Sequence, residues 1–146
     1  MQVTFRPWES KDISQIALLE QACFTLEAWT KEQLEDTFNR DGFCGYLAEV
    51  SGEVIGYVCA TYVFETADLL IIAVKESARG QGLGGVLIEK LFNGLREQGV
   101  EKVFLEVRAS NAPAKALYQS KGFALTRVRK KYYADGEDAV EMFVTL

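Results

Sequence analysis

Six consecutive apolar residues, Leu69 to Val74, lead through a short polar link into the glycine-rich turn Arg79-Gly80-Gln81-Gly82-Leu83-Gly84-Gly85. Beyond the turn, Leu83, Leu87, Leu91 and Leu95 recur four residues apart with Val86 beside them. A stretch that is apolar at every position reads as a strand covered on both faces. Leucines four apart form one face of a helix, which ends near Gly99. The next strand reads as Lys102 to Arg108. A strand, a crossover helix and a second strand place the two strands parallel in one sheet. The chain is thereby confined to folds with a parallel pair and a helix packed across it.

The remaining elements arrange themselves around this unit. Val3 to Arg6 alternates like a short strand. Ser10 reads as an N-cap for a helix carrying Ile13, Ile16, Ala17, Leu19 and Glu20 and running to about Phe24. Thr30 and Gln33 fit a capping box that opens a helix to about Phe38. Phe43 to Val50 and Glu53 to Tyr62 flank Ser51-Gly52 as a hairpin. Ala112 to Lys121 reads as a helix with Gly122 past its end, and Val128–Tyr133 with Val140–Leu146 as a closing hairpin about Asp135-Gly136. The order β-α-α-β-β-β-α-β-α-β-β predicts an α/β (α+β) fold, a mixed sheet with helices on both faces. At 146 residues this is expected to be a single domain over residues 1–146, with roughly 70% of its unfolded surface buried.

Several function classes fall away. No apolar run approaches the ~20 residues of a membrane span, and the N-terminus lacks the basic-then-apolar pattern of a secretory signal, so a cytoplasmic protein is expected. The net charge of −5 argues against nucleic-acid binding; it suits cationic partners or simply solubility. The chain contains no histidine, which removes His-based triads, His-containing metal sites and His acid–base chemistry. Cys23, Cys44 and Cys59 are odd in number and far apart, and form no C-x-x-C, as expected of free thiols in a reducing compartment. Catalysis falls to carboxylates, Tyr, Lys, Ser, Thr, backbone groups or a cysteine nucleophile.

The glycine-rich turn is either a plain connector or a cradle. Glycines allow close backbone approach, and the first N–H groups of a helix have no internal partners, which together suit a pyrophosphate. Neither the dinucleotide fingerprint G-x-G-x-x-G nor a P-loop Gly-Lys-Ser/Thr is present.

Arg79-x-x-Gly82-x-Gly84 after an apolar strand resembles motif A of the GCN5-related N-acetyltransferases (GNAT). Leu105-Glu106-Val107-Arg108-Ala109-Ser110-Asn111, with Ala114, Leu117-Tyr118 and Gly122-Phe123, resembles their motif B. Arg129-Lys130-Lys131-Tyr132-Tyr133 with Glu137-Asp138-Ala139 is similar to the bacterial ribosomal-protein-alanine N-acetyltransferases of the RimI type. Two segments depart from that group: Ala28-Trp29-Thr30 stands for Pro-Trp-Ser, and Ile71-Ile72-Ala73-Val74 for Asn-Ile-Ala-Val. Both changes bear on the acceptor site.

The resemblance implies a GNAT fold, a largely antiparallel twisted sheet of about seven strands with four helices, and direct acetyl transfer from acetyl-CoA without a metal. Ile72, Ala73 and Val74 would hold the thioester and pantetheine through backbone N–H groups. Arg79, Gly80, Gln81, Gly82, Leu83, Gly84 and Gly85 would bind the pyrophosphate. Glu106 shares a strand face with Phe104 and Arg108; read from the residues it forms an ion pair with Arg108, and read from the resemblance it is the general base. Tyr118 is a core aromatic with its hydroxyl at the rim, or by the resemblance a proton donor to the leaving thiolate. Asn111 is an N-cap and by the resemblance also binds pantetheine. Trp29, Tyr132 and Tyr133 line an acceptor groove or simply pack. Arg129, Lys130 and Lys131 are a solvated strand end or hold anionic groups. The implied acceptor is a protein N-terminus, the N-terminal alanine of a ribosomal protein first. The alternatives are a small amine or internal lysine as acceptor, and a non-catalytic acyl-CoA-binding module.

Overall fold

Local chemistry fixes most of the element ends in the structure, a computed structural model that describes residues 2–24 and 27–146. The strands are β1 Thr4–Pro7, β2 Phe43–Val50, β3 Glu53–Val63, β4 Thr66–Val74, β5 Lys102–Arg108, β6 Ala124–Arg129 and β7 Ala139–Thr145; the helices are α1 Ile13–Cys23, α2 Lys31–Phe38, α3 Leu83–Glu97 and α4 Ala112–Ser120. The capping box opens α2 as expected: the Gln33 N–H donates to Thr30 Oγ1 at 3.1 Å, and the Thr30 N–H to Gln33 Oε1 at 2.9 Å. Ser51 (φ 50) and Gly52 (φ 83) are both left-handed, the requirement of a tight hairpin turn whose twist matches its strands.

Element boundaries at both ends of the chain differ from the sequence reading. Ser10 does not cap α1. Residues Ser10–Asp12 form a 3-10 turn with Glu9 at its N-cap, and the Glu9 N–H donates to Asp12 Oδ2 at 2.7 Å. Arg6 grips Asp12 with two hydrogen bonds of 2.8 Å, holding that carboxyl below its ordinary range and drawing the chain into the helix early. The closing hairpin also shifts. Its first strand is Ala124–Arg129, not Val128–Tyr133. Asp135-Gly136 is a turn within the connecting loop, where the Gly136 N–H donates to the Tyr133 carbonyl at 2.9 Å.

The seven strands form one sheet in the order β1-β2-β3-β4-β5-β7-β6, antiparallel except for β4 beside β5. β7 lies between β5 and β6, so α4, like α3, crosses between strands that run the same way. One face packs on α3 and α4 through Leu87, Leu91, Val103, Leu105, Tyr118 and Phe123. The other packs on α1 and α2 through Ile13, Ile16, Leu34, Leu47 and Tyr57. Among the described residues no helix is long and apolar enough to cross a membrane.

Two irregularities in β4 create the functional space. Against β3, Cys59 pairs with Ile71 but Ala60 with Leu69, so Leu70 is an inserted residue. Such a bulge bends the strand and reverses which side chains face which way. Ala67 and Leu69 lie in the α3/α4 core, whereas Ile71 and Ala73 lie in the α1/α2 core. In addition, β4 pairs with β5 only over Thr66–Asp68 against Lys102–Phe104. Beyond Asp68 the two parallel strands part, while β5 stays paired with β7 as far as Arg108. The expected strand Leu69–Val74 is therefore real, but it begins earlier and its second half borders a cleft.

Candidate active site

The parting of β4 and β5 opens a cavity of about 1520 Å³, lined by Asp68 to Val74 from one strand and Phe104 to Arg108 from the other. Pockets for drug-sized ligands run to about 300–1,000 Å³, so there is room for an elongated ligand and a second molecule. Past Asp68 the β5-facing edge of β4 has no strand partner. Apart from the Val74 carbonyl, which accepts from Arg79 Nε, its backbone donors and acceptors have no strand partner there and can pair with an extended, amide-bearing ligand, as in strand addition.

Residues from both sides of the sheet meet here. β5 alternates as expected, with Val103, Leu105 and Val107 buried. Glu106 therefore points to the α1/α2 side, whereas Tyr118 comes from α4 on the other side, and both line the one cavity. The expected ion pair of Glu106 with Arg108 does not form. The cation beside Glu106 is Arg129, Nε to Oε1 3.4 Å, and Arg129 Nη2 also lies 3.4 Å from Glu141 Oε2. Glu106 and Glu141 stand directly opposite on β5 and β7. Like charges so placed repel, and Arg129, Arg127 and the Thr126 hydroxyl offset this. Asp68 joins the same face; burial first, then Glu106 and Glu141, pushes its carboxyl above the ordinary range.

Arg108 instead ties two loops together. It pairs with Glu27 before α2, and with Asp135 (2.9 Å) and Glu137 (2.8 Å) in the β6–β7 loop. Its guanidinium lies 4.1 Å from the centre of the Tyr133 ring. Lys130 pairs with Asp138 at 3.5 Å and is otherwise solvated.

Tyr118 is 7% exposed and meets Phe123 edge-on. Burial pushes its hydroxyl up to about 12, so it is a neutral phenol at physiological pH. Asn111 caps α4, accepting the Ala114 N–H at 3.2 Å, and lines the cavity as well. Trp29, Tyr132 and Tyr133 also line it. The Glu106 carboxylate beside it is the first cause that raises the Tyr132 hydroxyl above its ordinary range.

At the cavity's other end are Ile72, Ala73, Val74, Arg79 and Gly84. Gly80, Gln81, Gly82, Leu83 and Gly85 do not line it. Gly80 (φ 80) and Gly82 (φ 78) take the left-handed conformation, and the first hydrogen bond of α3 runs from the Val86 N–H to the Gly82 carbonyl at 3.2 Å. The N–H groups of Leu83, Gly84 and Gly85 precede it without intrahelical partners. The Leu83 side chain is in the core, so only its backbone is offered. Arg79 Nε donates to the Val74 carbonyl at 2.9 Å, folding the arginine back along the end of β4.

The three cysteines are free. Burial pushes Cys44 up to about 11 and Cys59 higher still, the opposite of what a thiolate nucleophile needs.

Asp68, Glu141 and Glu20 escape the sequence reading. Asp68 lies just outside the apolar run. Glu20 was read as part of a helical pattern, yet it is only 1% exposed and lines the cavity. Its signal was in the sequence: it extends the stripe of Ile13 and Ile16, a place where a carboxylate needs partners.

Comparison with known proteins matches the Acetyltransferase (GNAT) family over residues 13–123, most of the chain. The chain belongs to the GNAT family. A Bacillus subtilis (strain 168) relative, provisionally named a ribosomal protein bS18-alanine N-acetyltransferase, is 36% identical over 138 residues, covering 93% of this chain and 91% of its own. An N-alpha-acetyltransferase of Sulfurisphaera tokodaii is 38% identical over 114 residues, 69% of this chain and 68% of its own. The crystal structure of the Escherichia coli ribosomal-protein-S18-alanine N-acetyltransferase superimposes with a TM-score of 0.90 at 32% identity, covering 99% of this chain and 94% of that one. The seven-stranded sheet with four helices is accordingly the GNAT fold, and this GNAT chain is an N-acetyltransferase.

Proposed function

We propose that this chain, acting in the cytoplasm as a single domain over residues 1–146, uses acetyl-CoA to acetylate the α-amine of a protein N-terminus. An N-terminal alanine of a ribosomal protein is the first candidate. The observation that carries the reading is the cleft between β4 and β5, walled by Glu106 from one side of the sheet and Tyr118 from the other. The names of the relatives point the same way.

The residues fit acetyl-CoA. The unpaired edge of β4 from Leu70 to Val74 suits the two amides of a pantetheine arm. The N–H groups opening α3 and the Arg79 guanidinium suit its phosphates. Asn111 Oδ1 is occupied by the cap, which leaves its Nδ2 to donate to the arm. When bound, acetyl-CoA supplies the activated acyl group. Glu106, on the acceptor side, takes the proton from the attacking amine, directly or through a water. Tyr118, on the cofactor side, donates a hydrogen bond to the departing sulfur. Full proton transfer from a phenol near 12 to a thiolate near 8.5 is uphill by about 5 kcal/mol, so a hydrogen bond describes its role better than acid catalysis. Tyr118→Phe is expected to lower kcat while leaving acetyl-CoA affinity within about twofold; steady-state kinetics and calorimetry check this, and an unchanged kcat removes Tyr118 from the reaction.

An α-amine suits a lone carboxylate base. With a pKa of about 7.7–8.0 it is partly neutral near pH 7.5, whereas a lysine amine near 10.4 is about a thousandth neutral. The carboxylates of Asp68, Glu106 and Glu141 also favour the approach of a cationic N-terminus. The test uses two matched peptides, one with a free N-terminal Ala, the other with that end blocked and an internal Lys available. Mass spectrometry is expected to find acetyl on the first only. A comparable kcat/KM on the blocked peptide overturns the N-terminal reading in favour of lysine. Reaction with a small polyamine alone overturns the protein acceptor. Acetyl-CoA binding with no turnover on any amine leaves a binding module.

A further inference from the structure

The buried Glu20 carboxylate has no part in the reaction above. It sits in the last turns of α1, among the apolar residues that face β3. The Tyr57 hydroxyl, from β3, donates to Oε1. The Trp29 N–H, from the segment that leads into α2, donates to Oε2 at 2.9 Å. Tyr57 is itself fully buried, and burial together with the Glu20 hydrogen bond pushes its hydroxyl well above the ordinary range. Among the described residues no lysine or arginine pairs with Glu20. Its two oxygens accept from one hydroxyl and one backbone N–H.

A buried carboxylate is costly unless hydrogen-bonded, so this arrangement is kept only where it fixes something. The element it fixes is the backbone at Trp29, a residue that lines the cavity on the side read above as the acceptor's. Thr30, the next residue, is the N-cap of α2. One carboxylate thus joins a helix end, a central strand and the start of the next helix at the place where the acceptor wall turns.

We propose that Glu20 is a positioning residue for the acceptor: through the Trp29 N–H, and braced by Tyr57, it holds the wall against which the acceptor packs. The inference rests on the reading of that half of the cavity as the acceptor site. Loss of the carboxylate raises KM for the acceptor and leaves kcat and KM for acetyl-CoA unchanged, because the hydrogen bonds of Glu20 run to Trp29 and Tyr57 and not to the cleft edge of β4, the glycine turn or Glu106. Gln at position 20 keeps the Trp29 anchor, its oxygen accepting from the Trp29 N–H, while its amide donates to the Tyr57 oxygen and reverses that bond at the expense of the Tyr57 O–H acceptor.

The experiment compares Glu20→Gln, Glu20→Met and Tyr57→Phe, using an N-terminal Ala peptide. Expected are an acceptor KM near wild type for Glu20→Gln, a rise of about threefold for Tyr57→Phe and at least tenfold for Glu20→Met, with kcat and acetyl-CoA KM within twofold throughout. In parallel, amide exchange by NMR reads the Trp29 N–H without any substrate: protected in wild type and Glu20→Gln, faster in Tyr57→Phe and fastest in Glu20→Met. A Glu20→Met enzyme with wild-type acceptor KM overturns the proposal, as does one whose acetyl-CoA KM rises equally. Should Glu20→Met fail to fold, Tyr57→Phe decides: unchanged acceptor KM with unchanged Trp29 exchange overturns it. If the wild type acetylates some other amine and no peptide, the N-terminal reading fails, and the same KM split on that amine decides the role of Glu20.

Discussion

Glu106→Gln is expected to lower kcat by about 10²–10⁴-fold, the usual loss on removing a general base. Gln matches Glu in size and Glu106 carries no core contact, so the fold and the affinity for acetyl-CoA should survive. Arg129 loses one of its two carboxylates but keeps Glu141. The pH profile is the more telling readout. As pH falls below the α-amine pKa of about 7.7–8.0, more acceptor arrives protonated, and the demand on the base grows. The ratio of wild-type to variant kcat should therefore widen toward low pH. A variant with unchanged activity and an unchanged profile would show that Glu106 serves only to balance Arg129 and Glu141.

Gly82→Val should abolish measurable acetyl-CoA binding by calorimetry while the protein stays folded. Gly82 is the N-cap of α3 at φ 78, and an added Cβ would meet nothing within 4 Å. The damage is thus to conformation and not to packing. Holding a β-branched residue in the left-handed region costs about 1–3 kcal/mol, less than the 5–15 kcal/mol that ordinarily holds a domain together. The turn relaxes instead, and the N–H groups of Leu83 to Gly85 swing out of line. Gly84 is a poorer probe, because its Cβ would come within 3.2 Å of Leu117 Cδ2 and disturb the packing of α3 against α4. Wild-type affinity in a folded Gly82→Val protein would remove the turn from the cofactor site.

What could be read from the chain in advance divides along the range of the interactions. The α2 capping box, the Ser51-Gly52 turn and the apolar face of α3 are local, each decided within a few residues, and all three are found. β6 is not legible in the sequence, because nearly every residue from Ala124 to Arg129 is exposed. An edge strand with no buried face leaves no alternation to read, and the aromatic stretch after it drew the assignment forward. The partner of Glu106 is hidden for a related reason. Arg108 is two residues away in sequence, but the cation beside Glu106 comes from β6, two places across the sheet. The anchors of Glu20 lie 37 and 9 residues from it, so its burial could be suspected from the stripe but its purpose could not. Above all, the parting of β4 from β5 is a backbone event that no side-chain pattern announces.

The inserted Leu70 makes β4 a strand of two half-strands with opposite sidedness, and this governs how the protein can diverge. Upstream of Leu70, residues answer to the α3/α4 core on every second position; downstream, the parity is exchanged. Removing one residue there would not shorten a loop but transpose Ile71, Ile72, Ala73 and Val74 between two interiors at once. A point substitution in either half disturbs the one core its side chain faces, whereas a single-residue deletion would disturb both cores and the open edge of β4 in one step. The cleft is therefore guarded against insertions and deletions more strictly than against exchanges of side chain.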